Sequence, residues 1–549
     1  MARVYTHFSV KDYFLILLII ILSTSFAIFF QLNQIISGDQ MQMLEKGYMG
    51  AITGNYLPYG NAASTVGNVP GSLSSYIVGY PLSLFMHPLS PVAVLILLRV
   101  LSIIIFVNAV SKIFLPRTTV IATLLYALSP WFLYDELLYN PSYLALGAAI
   151  FLNMLVRLRV RGHKVSYATA FLSSLMLSLS AGFCLQLHFS WPVLVAICGI
   201  SYLRRDITIS FVGIFVGLAL VAATLIPYIN EFMVNEAIRE NSSQDAKDRY
   251  FGYGLLHVYP VLKALVYWFR FGSLLITKKA LVPDVAADAP LYLEILRYLY
   301  LGITQIIGAV TLIIAVYANY KVISSSPYAQ NDGMRFVRSL TIASMLALML
   351  AGAISTITFS YWHLIIIFSF ALLPVLVLIE RSHRIRTAHI LYLALIMLVM
   401  NFISAFNSDK FNINASYTDQ VNYLCLEKYD VAQCGLTEIE AQSLESRRLD
   451  TIFFGNMLSS MASSEHADVS IDKGYENKNV AVSEDKSSDN NDSSSDDSKK
   501  SKEQSQSGEI KVEPAGGLIQ DDSLMETVQP VIEVDRSSDK EGTIVLGNG

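Results

Sequence analysis

Charged side chains are scarce in this chain of 549 residues: Asp, Glu, Lys and Arg make up 15% of it, while 53% is hydrophobic. A soluble domain carries about 25% charged residues, so an ordinary soluble globular protein is excluded. Cysteine is rarer still, with four residues, and no His/Cys group has the spacing of a zinc site. No phosphate-cradling glycine-rich loop and no nucleophile elbow is present. No internal duplication is visible. The apolar runs lack the polar/apolar alternation of a membrane barrel. Lysines of the C-terminal tail are diluted by acidic neighbours, which excludes a nucleic-acid patch.

What is abundant is the long apolar run. Runs of about 18 residues or more recur along most of the chain and can cross a hydrocarbon core of about 30 Å as a helix, and helices satisfy the backbone in lipid. The pattern predicts spans over roughly 12–30, 91–114, 118–134, 142–158, 166–185, 191–203, 209–229, 296–318, 337–358, 362–379 and 387–405. The fold class is therefore an all-α polytopic membrane protein with about eleven crossings. Pro116, Pro130 and Pro141 suit helix ends. The run from Tyr13 to Phe30 follows Arg3 and Lys11 and has no clear cleavage site, so it reads as an uncleaved first helix.

The short loops sort by charge. One set holds Lys112 and Arg117; Arg157, Arg159, Arg161 and Lys164; Arg204 and Arg205; Arg335 and Arg338; Arg381, Arg384 and Arg386. The alternate loops, from Asp135 to Ser142, Gln186 to Ser190 and Phe359 to His363, carry almost none. The positive-inside rule puts the first set and the N-terminus in the cytoplasm. An odd number of crossings then places the C-terminus outside, on the periplasmic side if the membrane is a bacterial inner membrane. Two long external segments, 31–90 and 230–290, hold apolar stretches expected to lie along the interface, among them an aromatic-rich helix with Lys263, Trp268 and Arg270.

Three regions follow: a transmembrane domain over 1–405, an external segment over 406–461 and a polar tail over 462–549. The tail is rich in Ser, Asp, Asn, Glu and Lys and cannot bury a core, so it is expected to be mostly disordered. Cys184 and Cys198 fall in expected helices as packing residues. Cys425 and Cys434 fall in the external segment, where a disulfide is expected.

The sharpest candidate for chemistry is Asp39, in Gly38-Asp39-Gln40, at the external end of the first helix. Met41, Leu44, Tyr48 and Met49 follow at helical spacing, so Asp39 is equally a natural N-cap, with Ser37 as competitor. Asp135 and Glu136 lie in the next external loop with Asn140, where a solvated turn is the plainer reading. Gln186-Leu187-His188-Phe189-Ser190 and Tyr361-Trp362-His363 complete the external set. A lone His at a membrane boundary is usually an interfacial residue, but four polar groups on one side point to a shared site. Arg99, near the middle of an apolar span, is the one conspicuous charge within the spans and marks a functional pairing.

Four of these pieces, in this order and on this side, resemble the GT-C membrane glycosyltransferases. The resemblance is to the bacterial relatives of protein O-mannosyltransferases and of the lipid A aminoarabinose transferases. The pieces are the acidic residue after the first helix; the first external loop running from Asn68-Val69-Pro70-Gly71-Ser72 to Leu84; Leu128-Ser129-Pro130-Trp131-Phe132 with Leu138-Tyr139-Asn140-Pro141; and the Gln-Leu-His-x-Ser phrase at Gln186. Tyr361-Trp362-His363 with Leu372-Leu373-Pro374 is similar to the late helix of the family. Relatives often carry an acidic residue where Asn140 stands, so the second carboxylate falls to Asp135 or Glu136, or is absent. Relatives also tend to carry Lys-Pro or Pro-Pro ahead of the re-entrant segment, where this chain has Val69-Pro70-Gly71, with no Lys.

The resemblance implies transfer of a sugar from a polyprenyl-phosphate donor to a hydroxyl of a lipid, a surface glycan or a protein. Asp39 is then the expected base, with Asp135 and Glu136 as the alternative carboxylates. His188, Arg270, Arg297 and His363 are the expected phosphate contacts, and Gln40 and Asn140 further substrate contacts. The residues fix no cofactor, and a divalent cation is compatible with the chemistry. A transporter or flippase for a lipid-linked sugar is the rival, and it would call for a polar path at the membrane midplane.

Overall fold

The computed structural model describes residues 8–32, 39–62, 67–85, 87, 89–160, 165–235, 238–239, 258–277, 290–325, 331–355, 359–382, 387–406, 426 and 430–446. Among these, nine helices are long and apolar enough to cross a membrane. They are α1 (Val10–Leu32), α4 (Leu89–Ser111), α7 (Leu144–Leu158, entered through a 3-10 turn at Asn140–Tyr143), α8 (Tyr167–Leu185), α10 (Phe211–Val234), α12 (Leu291–Ser324), α13 (Asp332–Ile354), α14 (Tyr361–Arg381) and α15 (Thr387–Phe406).

Two expected crossings fold as shorter pieces. The run over 118–134 becomes α5 (Pro116–Ala127) and α6 (Pro130–Tyr134). Proline disfavours helical backbone in the residue before it, and Ser129 is extended, with φ −62° and ψ 131°. The run over 191–203 becomes α9 (Pro192–Leu203), of 12 residues, about 18 Å long against a core of about 30 Å.

The first long loop is built rather than open. It holds α2 (Asp39–Thr53), a small antiparallel hairpin of β1 (Tyr59–Ala62) and β2 (Asn68–Pro70), and α3 (Leu73–Leu84). Leu44 and Tyr48 are buried on α2 as their spacing predicts, and α2 packs on α3. The second long loop contributes α11 (Val258–Phe271), which buries Ala264, Tyr267, Trp268 and Phe271 against the bundle. Of the expected external segment, α16 (Glu438–Ser446) is described; the tail from 462 lies outside the described residues.

Small residues let α8 and α10 approach closely. Gly213 faces the Phe171 carbonyl, Gly217 faces Ser178 and Gly182 faces Val221, so α8 and α10 meet with no room for a side chain at those points. The apolar faces turned away from the bundle, such as Phe215, Leu218 and Ile226 on α10, are exposed, as lipid-facing surfaces require.

The charge sorting of the loops reappears as two ends of one bundle. At one end, Lys112 donates to Asn153 Oδ1 at 2.9 Å, Arg159 to the Lys112 carbonyl at 3.2 Å, and Arg204 to Asp206 and Ser339 at 3.3 and 3.1 Å. Arg381 reaches Ser325 at the same end, 3.3 Å away. The loops poor in Lys and Arg meet at the opposite end.

Candidate functional site

The break between α5 and α6 shapes that opposite end. It frees carbonyls that lipid cannot satisfy, and side chains from other helices take them. Ser23 Oγ of α1 donates to the Ala127 carbonyl at 2.6 Å. Asn401 Nδ2 of α15 donates to the Leu128 carbonyl at 2.7 Å. So stitched, α6 carries Trp131 and Phe132 into the core and delivers Asp135 and Glu136 to a buried loop. Those carboxyl residues are 2% and 3% exposed. A solvated turn is therefore ruled out for them.

Arg99 reaches this loop from α4. Its Nη1 donates to a Glu136 carboxylate oxygen, forming a buried ion pair, and to the Phe132 carbonyl at 2.7 Å. Its guanidinium lies 3.8 Å from the Phe132 ring centroid. Nη2 lies 3.4 Å from Ser23 Oγ, and Gln31 Nε2 donates to the Glu136 carbonyl at 2.7 Å.

Asp135 has different company. Tyr139 donates its hydroxyl to Asp135 Oδ1 at 2.8 Å, and the Tyr361 hydroxyl lies 3.3 Å from that of Tyr139. Burial pushes the Asp135 carboxyl well above the usual carboxylate range; the Tyr139 hydrogen bond and Arg99 oppose this, and Glu136 adds to it. Burial also raises Glu136, and Arg99 pulls against it. Asn140 is buried in the 3-10 turn that follows.

The remaining polar groups border this cluster. Gly71, just beyond the hairpin, sits against the Gln186 side chain, whose Nε2 donates to Thr224 at 3.0 Å. The His188 and His363 rings are 5.6 Å apart. Ser190 donates its backbone N–H to His188 Nδ1 at 3.1 Å, which leaves the proton of the neutral ring on Nε2. Burial lowers His188 to a pKa of about 4. His363 Nδ1 accepts the Ser360 N–H at 2.9 Å. Arg270 of α11 lies over the Trp131 and Tyr267 rings, at 5.0 and 5.1 Å, and the Trp131 indole donates to its carbonyl at 3.1 Å. Trp131 and Tyr134 in turn lie 5.8 and 5.1 Å from Tyr361.

Asp39 is the first residue of α2; its side chain lies outside the described residues. Gln40 beside it is buried. Arg297 stands in the second turn of α12, next to the Tyr298 ring at 5.4 Å. That helix has 34 residues, about 51 Å, so it is longer than the bilayer core. Cys434 is disulfide-bonded, Cys184 and Cys198 are free, and Cys425 lies outside the described residues. Among the described residues no group of three or more His, Cys, Asp or Glu could hold a metal ion.

This arrangement of helices is similar to the crystal structure of ArnT from Cupriavidus metallidurans bound to undecaprenyl phosphate. The TM-score is 0.52 over 77% of this chain and 82% of that one, at 10% sequence identity. The fold is GT-C. The apo state of the same ArnT gives 0.48 at 9% identity over the same shares. The Archaeoglobus fulgidus oligosaccharyltransferase gives 0.43 at 14% identity, over 76% of this chain and 58% of that one. No protein-family model and no curated protein matches the sequence.

Within this bundle, sequence pattern does not single out Tyr139 and Tyr361 as partners of Asp135. Tyrosines at a membrane boundary usually read as interfacial anchors. Trp131 and Tyr267, which carry Arg270, are hidden for the same reason.

Proposed function

We propose that this chain is a membrane glycosyltransferase that moves a sugar from a polyprenyl-phosphate donor to a hydroxyl of a lipid, surface glycan or protein. The observation that carries this reading is the convergence, at the Lys/Arg-poor end of a GT-C bundle, of buried carboxyls, a histidine pair and an arginine laid over aromatic rings. A donor with a lipid tail explains a site at a bundle end, because the tail stays in the bilayer while the sugar phosphate enters. ArnT, whose fold this chain shares, binds undecaprenyl phosphate in its crystal structure.

In the reaction, the acceptor hydroxyl gives its proton to a carboxylate, for which Asp39 is the candidate. The oxygen bonds to the anomeric carbon as that carbon's bond to phosphate breaks. The bonding pair leaves with the polyprenyl phosphate, whose growing charge needs donors and cations. His188 supplies an uncharged Nε2–H, and His363 lies beside it. Arg270 supplies a guanidinium suited to phosphate oxygens, and Arg297 a second. Gln40 and Asn140 are the candidates for contact with the sugar. The Lys/Arg-rich end faces the cytoplasm and the acidic end the periplasm or exterior. Polar groups gathered at one end favour transfer over transport through the midplane.

The test is direct. Purified protein is incubated with a panel of polyprenyl-phosphate sugars and hydroxyl acceptors. Release of free polyprenyl phosphate is expected from at least one donor; intact sugar lipid moved between leaflets of a vesicle, with none released, would establish the transporter instead.

A further inference from the structure

Adjacent carboxyl residues usually share an environment, but Asp135 and Glu136 do not. Glu136 is bound by the Arg99 guanidinium. Asp135 points to a hydroxyl chain, Tyr139 at 2.8 Å and Tyr361 3.3 Å beyond it. The division is enforced by Arg99, whose one fork touches the Glu136 carboxylate, the Phe132 carbonyl and the Ser23 hydroxyl. It thus ties α4, which carries it, to α1 and to both ends of the 132–136 segment. The flat guanidinium also rests on the Phe132 ring. A lysine could supply the charge here, but not the forked geometry.

We propose that Arg99 is a positioning residue: it locks the 132–136 segment so that Asp135 presents its carboxyl to the tyrosine pair, while Glu136 holds the lock. The catalytic part of this inference rests on the transferase reading; the geometric part does not. A buried ion pair is weak evidence of added stability, and its better-attested use is to fix one arrangement among several. The charged and titratable groups that face Asp135 are Tyr139 and Glu136 in its own loop, Arg99 from α4, Tyr126 from α5 and Tyr361 from α14. Glu136 acts to raise its pKa and Arg99 to lower it.

Two folded variants separate positioning from charge. Arg99→Lys keeps the positive partner of Glu136 but loses the fork. Arg99→Gln with Glu136→Gln removes both charges and leaves none unpaired. Both are expected to melt near the wild-type temperature, keep the donor KM, and lose turnover by about 10²-fold, the usual cost of about 1 Å of misplacement. Wild-type turnover by Arg99→Lys would overturn the lock.

A second arm needs no substrate. Infrared titration of the full-length protein should show a carboxylic-acid band that disappears in Asp135→Asn. In Glu136→Gln that band should titrate at lower pH, because a negative neighbour has gone; in Arg99→Lys the charge remains but the held geometry does not, and the band should broaden or shift in frequency. If the wild type releases polyprenyl phosphate from no donor, the transferase reading fails, and this arm still judges the lock. A band indifferent to both substitutions would refute it.

Discussion

Gly71 and Gln186 touch where a side chain could not. A Cβ on Gly71 would stand 2.4 Å from Gln186 Oε1 and 2.7 Å from its Cγ, and the Gly71 backbone has φ +93°. The first long loop is thereby pressed against the loop that carries His188. The contact joins two segments more than a hundred residues apart in the chain.

Gly71→Ala should therefore be costly for two separable reasons. The positive φ disfavours any L side chain by about 1–2 kcal/mol, and the Gln186 amide must also move. Gly71→Ala with Gln186→Ala removes the clash but not the backbone strain. Melting curves should show the single variant least stable and the pair partly recovered. No recovery in the pair would mean that the clash is not what matters.

His188 predicts a pH dependence of stability. Its folded pKa is lowered to about 4 by burial, against about 6.5 in an unfolded chain. Between these values the unfolded state binds more protons, so stability rises with pH across the window. The contribution is complete above about pH 6.5 and is lost as pH falls towards 4. His188→Gln should flatten this part of the stability curve. A curve unchanged by the substitution would show that His188 does not titrate on unfolding as described.

The sorting of the loops onto two ends of the bundle was readable in the sequence, because lysine and arginine distribute by loop and loops map directly onto bundle ends. Arg99 was equally visible, as one charge in an apolar run. Its partner was not, since Glu136 lies 37 residues away and hydropathy says nothing about which helices touch. The break at Ser129-Pro130 was half legible. Proline marks a stop, yet the apolar residues on both sides continue, and the run over 118–134 reads as one helix. Side chains of Ser23 and Asn401, from distant helices, take up the carbonyls that the break leaves free in lipid. Asp135 and Glu136 look interchangeable in sequence for the same reason: what distinguishes them is supplied by α4 and α14.

The end that carries Asp135 should face outward. A single cysteine at position 495, in a background where the native cysteines are replaced, should react with impermeant maleimide added to intact cells. A cysteine at position 161 should react only after lysis. Labelling of position 495 only after lysis would reverse the orientation and move the proposed site to the cytoplasm.

Cys425 and Cys434 are proposed as a disulfide pair, consistent with the bonded state of Cys434. Unreduced peptides should contain both residues in one cross-linked species. Cys425→Ser is expected to lower yield more than specific activity, because a short closed loop stabilises the external segment without entering the reaction. Two free thiols in the unreduced digest would remove the bridge.

Asp39 decides whether the carboxylate after the first helix is a base or a cap. It opens α2, where a negative side chain suits the helix N-terminus on structural grounds alone. Asp39→Asn preserves size and caps about as well as Asp, but it cannot take a proton. If capping is its whole role, expression, melting temperature and turnover should all stay close to wild type. If Asp39 is the base, expression and melting should stay while turnover falls by about 10²–10⁴-fold, the usual share of general acid–base catalysis. Asp39→Ala sharpens the contrast. It loses both functions, so a cap would show about 1 kcal/mol of destabilisation, while a base would show no greater loss of rate than Asp39→Asn already gives. Polyprenyl phosphate release by each variant, measured beside its melting curve, separates the two. Wild-type turnover by Asp39→Asn would transfer the role of base to Asp135, the carboxyl of the buried doublet that Arg99 does not hold.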